Sequence, residues 1–118
     1  MDKLTQKEEE LMQVLWQLDK AFVKDVVAEL PEPKPHYNTV STVIRKMEDK
    51  GFVSHQSFGT TFQYFPLISK EAYFKQFMTN TIHNYFDNSY KNVVSFLAQE
   101  EKISVAELKE IIQLIENK

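Results

Sequence analysis

The chain has 118 residues, 42% of them hydrophobic and 26% charged, with a formal net charge of −3, a balance that suits a folded chain and not a disordered one. That length allows one compact domain with an appendage, and no run approaches the ~18 apolar residues of a membrane span. The polar, acidic opening MDKLTQKEEE is unlike a secretory signal, and the absence of cysteine removes disulfides, thiolate metal sites and thiol nucleophiles, so a cytoplasmic protein is expected.

Thr5 followed by Glu8 forms a capping-box pattern that opens a helix running to about Leu18. Leu11, Val14, Leu15 and Leu18 lie on one stripe of it, with Trp16 off the stripe. Val23, Val26, Val27 and Leu30 are spaced for a second, short helix over 23–30. Pro31, Pro33 and Pro35 then impose an extended connector. Their alternate spacing lacks the P-x-x-P order of a ligand for a proline-binding module. A third helix is predicted from Asn38 to Lys50, with Gly51 where a helix terminator belongs. Two strands, Phe52 to Phe58 and Thr61 to Leu67, flank a tight turn at Gly59-Thr60, and Pro66 suits the exit of an edge strand. From Ser69 onward the pattern is helical: 69–86, then 88–100 after a break near Asp87, then a last helix opened by Ser104 with Glu107 and running to about Glu116. The order predicts a mainly α fold with a small β-hairpin. It fits a winged helix-turn-helix domain over 1–67 and a C-terminal helical dimerisation arm over 68–118, although order alone also fits a small α+β domain that never meets DNA.

The third helix holds the candidate site. At about 100° per residue, Val40, Val43, Ile44 and Met47 face a core, while Asn38, Ser41, Thr42 and Arg45 form an opposite ridge. Amide, hydroxyl and guanidinium groups near a helix start can bond base edges or phosphates in the major groove. A merely solvated face is the bland alternative, but such faces favour Glu, Lys and Gln, and Asn, Ser and Thr are poor helix formers. No acid occurs between Tyr37 and Met47, and residues 34–67 hold Lys34, Arg45, Lys46 and Lys50 against Glu48 and Asp49, a locally positive segment in an acidic chain, in which Lys46 is a further candidate DNA contact.

The hairpin would be the wing. Phe62 and Tyr64 share one strand face and are expected to pack inward, while the tip, Phe58 to Thr61, is uncharged. His55 and Gln56 either touch the DNA backbone or belong to a strand that only completes the core. His36, His55 and His83 are too scattered for a metal site, and no phosphate loop or nucleophile elbow occurs. No cofactor, metal or catalytic residue is therefore expected.

The arm carries apolar stripes with no evident core of its own. In the last helix Leu108, Ile111, Ile112 and Ile115 lie on one flank, and Val94 and Leu97 precede them. Pairing with a second copy would cover these residues and present two third helices to a palindromic site. The alternative is an arm folded back on its own domain.

Thr5 to Trp16 (TQKEEELMQVLW), Tyr37 to Val53 (YNTVSTVIRKMEDKGFV), Gly59 to Leu67 (GTTFQYFPL) and Val94 to Ile115 resemble the BlaI/MecI/CopY family of penicillinase-type repressors. The resemblance implies a homodimeric repressor bound to a double-stranded operator, with DNA contacts on Asn38, Thr39, Ser41, Thr42 and Arg45. It also implies release by a protease linked to a membrane sensor, at a cut before the Phe that aligns with Phe96. Ser95 precedes it here, where the family has Asn. The copper-sensing branch uses C-terminal cysteines, which this chain lacks. A winged-helix protein-interaction module without specific DNA binding is the competing reading, motivated by net acidity and the uncharged wing.

Overall fold

A computed structural model describes residues 3–117. Helix α1, Gln6–Leu18, starts at the expected capping box: Glu8 N donates to Thr5 Oγ1 at 3.2 Å and Thr5 N donates to Glu8 Oε1 at 2.8 Å. Leu11, Met12, Val14 and Leu15 are buried on its inner side. The helix stops at Asp19, whose φ of 70° turns the chain away from the axis.

A two-residue strand follows that the sequence reading did not anticipate, β1 at Ala21–Phe22. Helix α2 is Val23–Glu29 and α3 is Tyr37–Asp49. Lys34 terminates α2, its Nζ donating to the carbonyls of Val27, Ala28 and Leu30 at 3.3, 2.9 and 2.8 Å, at the helix end where backbone acceptors run out of amide donors. At the end of α3, Gly51 adopts φ +86°, and the turn is closed by Gly51 N to Glu48 O (2.9 Å) and Phe52 N to Met47 O (3.0 Å). A side chain at Gly51 would be strained in that backbone conformation.

Strands β2, Val53–Phe58, and β3, Thr61–Pro66, pair antiparallel from Val53 opposite Pro66 to Phe58 opposite Thr61. β1 adds to the other side of β3, with Ala21 opposite Tyr64 and Phe22 opposite Gln63, so the sheet order is β1-β3-β2. β3 is thus central and not the edge strand that Pro66 suggested. β1 is short enough to end before reaching Pro66, so no second ladder is interrupted there.

Leu15, Val26, Ile44, Met47, Phe52, Val53 and Tyr64 form the fully buried centre. Trp16, off the α1 stripe, donates Nε1–H to Ile68 O at 2.9 Å and sets its ring 5.7 Å from Tyr73. Phe52 meets Tyr73 edge-on at 6.1 Å. These contacts carry the first compact unit through Tyr73, and a second begins at Phe74.

The second unit takes in most of α4, Lys70–Tyr85, with α5, Tyr90–Gln99, and α6, Val105–Glu116. The break near Asp87 is present: Asp87 and Asn88 both have positive φ, 51° and 65°. Ser89 caps α5 by accepting from Asn92 N at 3.1 Å, and Ser104 with Glu107 forms the expected capping box of α6. Backbone and hydroxyl donors of Ser104 hold the Glu107 carboxyl below its usual range. Ile82 is buried, and Phe86 meets Phe96 edge-on at 6.0 Å. Among the described residues, α5 and α6 bury no side chain fully.

Candidate nucleic-acid interface

The amphipathic pattern of α3 positions the candidate residues. Val40, Ile44 and Met47 are buried and Val43 half-buried, which anchors one side of the helix to α1 and α2. The opposite side presents Asn38, Thr42 and Arg45, all exposed. The 100° step places Ser41, half-buried, on one flank with Tyr37 and Glu48, and Thr39 and Lys46, both exposed, on the other. The six candidates therefore lie on one continuous outward surface, with Ser41 at its edge.

Their hydrogen bonding leaves chemistry free. Thr42 Oγ1 donates to Asn38 O at 2.9 Å, so its lone pairs point outward as acceptors. Arg45 Nε reaches Ser41 O at only 3.5 Å, the limit of a useful bond. Among the described residues neither Arg45 nor Lys46 has an ion pair.

The other two cations of the positive segment are not available, contrary to the charge count. Lys34 is held against the end of α2. Lys50 pairs with Glu8 through a 2.8 Å contact, and Glu8 is only 3% exposed. Burial pushes the Glu8 carboxyl up, but the Lys50 ammonium and the Thr5 donors outweigh it and hold the group below its usual value.

The hairpin is tied to α3 by a polar link. His55 Nδ1–H donates to Glu48, 2.7 Å from Oε2 and 3.0 Å from Oε1, and the imidazole stacks on Phe62 at 4.1 Å. His55 thus faces the helix, and Gln56 is exposed. Tyr64 is buried as expected, and burial, with the Glu48 charge beside it, pushes its phenol up. Phe62 shares that face but lies nearer the tip and stays 40% exposed, so inward packing holds only in part. Tyr37, half exposed at the start of α3, was not singled out from the sequence, although its wheel position beside Ser41 marks it.

In the second unit Val94, Ile111, Ile112 and Ile115 are exposed, and Leu97 and Leu108 are half-buried. Ser95 and Phe96 lie inside α5, their peptide bond part of a regular helix. Among the described residues no group of His, Asp or Glu could hold a metal ion, and no helix is long and apolar enough to cross a membrane.

Comparison with known proteins matches residues 4–117 to the pattern of the penicillinase repressor family. The chain is 22% identical over 115 residues to the penicillinase repressor of Bacillus licheniformis, an alignment covering 97% of this chain and 90% of that one. It is 21% identical over 117 residues to the methicillin resistance regulatory protein MecI of Staphylococcus aureus, covering 98% and 95%. Among solved structures, the DNA-binding domain of the repressor BlaI superposes with a TM-score of 0.52 and 27% identity, over 62% of this chain and 94% of that domain. Helices α1 to α3 with the small antiparallel sheet are a winged helix.

Proposed function

This chain belongs to the penicillinase repressor family, a family of transcriptional repressors rather than enzymes, and from that premise we propose that it represses transcription by seating α3 in the major groove of an operator duplex. One observation carries the reading: α3 is anchored by Val40, Ile44 and Met47 while an amide, hydroxyls and a guanidinium with no ion pair among the described residues project from its far side. Arg45 is suited to the O6 and N7 acceptors of guanine and Asn38 to an adenine edge, with Thr39, Ser41, Thr42 and Lys46 bonding bases or phosphates around them.

Two copies would act together. Val94, Leu97, Leu108, Ile111, Ile112 and Ile115 supply apolar surface that a twin arm covers, and a two-fold dimer offers paired helices to a palindromic site. Release by a sensor-linked protease between Ser95 and Phe96 requires local unwinding of α5, because that bond sits within a helix. The protein acts in the cytoplasm under this reading.

A mobility-shift titration against promoter fragments tests it. Binding should be selective and steeply salt-dependent, and Arg45→Ala should cost about 1–3 kcal/mol together with selectivity at one base pair. Equal binding of every duplex rejects specific readout. The engagement of Lys34 and Lys50 favours one rival, a protein-interaction module, which predicts no duplex binding at all.

A further inference from the structure

Alongside the α3 ridge, where the start of the helix meets the outer half of the hairpin, lies a hollow of about 180 Å³ lined by Phe22, Val23, Lys24, Tyr37, Thr61 and Phe62. Its walls are unusual for a surface depression. Tyr37 and Phe62 remain 50% and 40% exposed, although solvent-facing aromatics lose the burial that favours them elsewhere. Phe62 is backed by the His55 ring, itself held by Glu48, so it is stiffly presented. Lys24, near the start of α2, is exposed and has no ion pair among the described residues. No carboxylate lines the hollow.

We propose that this hollow seats one deoxyribose-phosphate unit of the same duplex that α3 reads, so that the wing engages DNA by aromatic packing backed by one lysine, in place of the charged tip it lacks. The proposal rests on the repressor reading and extends it to residues outside the third-helix ridge. A sugar has C–H faces that pack on aromatic rings, and its phosphate carries the charge that an unpaired ammonium complements. The hollow combines both chemistries within one nucleotide's dimensions. Its continuity with the ridge follows from the helix itself: Tyr37, Ser41 and Arg45 succeed one another at four-residue steps along the same flank. The hydroxyl of Tyr37 supplies a donor to the phosphate. That of Thr61 is already committed, donating to Phe58 O at 2.9 Å.

The test uses the full chain and a duplex selected by it from a randomised pool, with an unrelated duplex of equal length as control. Lys24→Gln should weaken both duplexes by the same factor and reduce the salt slope by about 0.9. Tyr37→Phe, which removes only a hydroxyl, should weaken both roughly tenfold, the scale of one hydrogen bond to a charged group. Neither should change the preference for the selected duplex, whereas Arg45→Ala should. If Arg45→Ala acts as stated and the Lys24 and Tyr37 variants bind like the parent with an unchanged salt slope, the hollow is not a DNA seat. If the parent itself retains no duplex, the repressor reading fails first.

Discussion

Substituting Glu8 by Gln isolates the charge that locks α1 to the end of α3. Gln at this position still accepts from the Thr5 amide, because the capping box works with either residue. What is lost is the negative charge opposite Lys50, 2.8 Å away. Removing one partner of a fully buried pair costs about 3–5 kcal/mol, and an exposed pair is worth about 0–1 kcal/mol. This pair lies between the limits, since the Glu8 side chain is 4% exposed and that of Lys50 is 29% exposed. The stranded ammonium can turn to water, so a loss of about 1–2 kcal/mol is expected, several degrees in the unfolding midpoint. The pH dependence is the sharper check. The carboxyl is held below its ordinary value in the folded chain, so its contribution is fully present above the unfolded value and is lost as pH falls through the folded one. The difference between parent and Glu8→Gln should therefore be complete at neutral pH and shrink on acidification, where the parent also becomes neutral at this site. Urea unfolding followed by Trp16 fluorescence, at one fixed protomer concentration, measures both quantities. A variant as stable as the parent at neutral pH, or a difference that stays constant down to acid pH, refutes the reasoning.

Two further substitutions probe other parts of the fold. Ile112→Asp places a charge in the exposed stripe of α6 and should shift the sedimenting species from dimer to monomer, weakening duplex binding with it; an unchanged mass would remove Ile112 from the interface. Gly51→Ala forces a side chain into a left-handed conformation where a Cβ meets nothing within 4 Å, so the cost is purely conformational, about 1–2 kcal/mol. Thermal unfolding with no loss would show that the turn after α3 relaxes.

Local signals were legible in the sequence where the chemistry is local. The capping boxes at Thr5 and Ser104, the break near Asp87 and the Gly51 terminator each depend on residues a few positions apart, and the structure has all of them. The two faces of α3 were legible for the same reason, since helical periodicity alone sorts Val40, Ile44 and Met47 from Asn38, Thr42 and Arg45. Long-range partners were not. β1 exists only because Ala21 and Phe22 find Tyr64 and Gln63 across the fold, and no two-residue pattern announces that. Nor does counting charges show which are free. Lys50 meets a residue 42 positions away, and Lys34 folds back onto carbonyls of the preceding helix. Phe62 and Tyr64 look equivalent by strand alternation, yet distance from the core separates them, and the one nearer the tip stays in solvent.

The inward commitment of Lys34 and Lys50 bears on how such a repressor would behave among the vast excess of irrelevant chromosomal sequence. Indiscriminate adhesion to a chromosome scales with the number of phosphates a surface can neutralise. With these two lysines bracing its own helices, the molecule neutralises fewer phosphates than its charge count suggests, so fewer copies would be held at decoy positions and more left to search. Under the proposed function, occupancy of an operator would then depend more on hydrogen bonds and shape than on bulk charge.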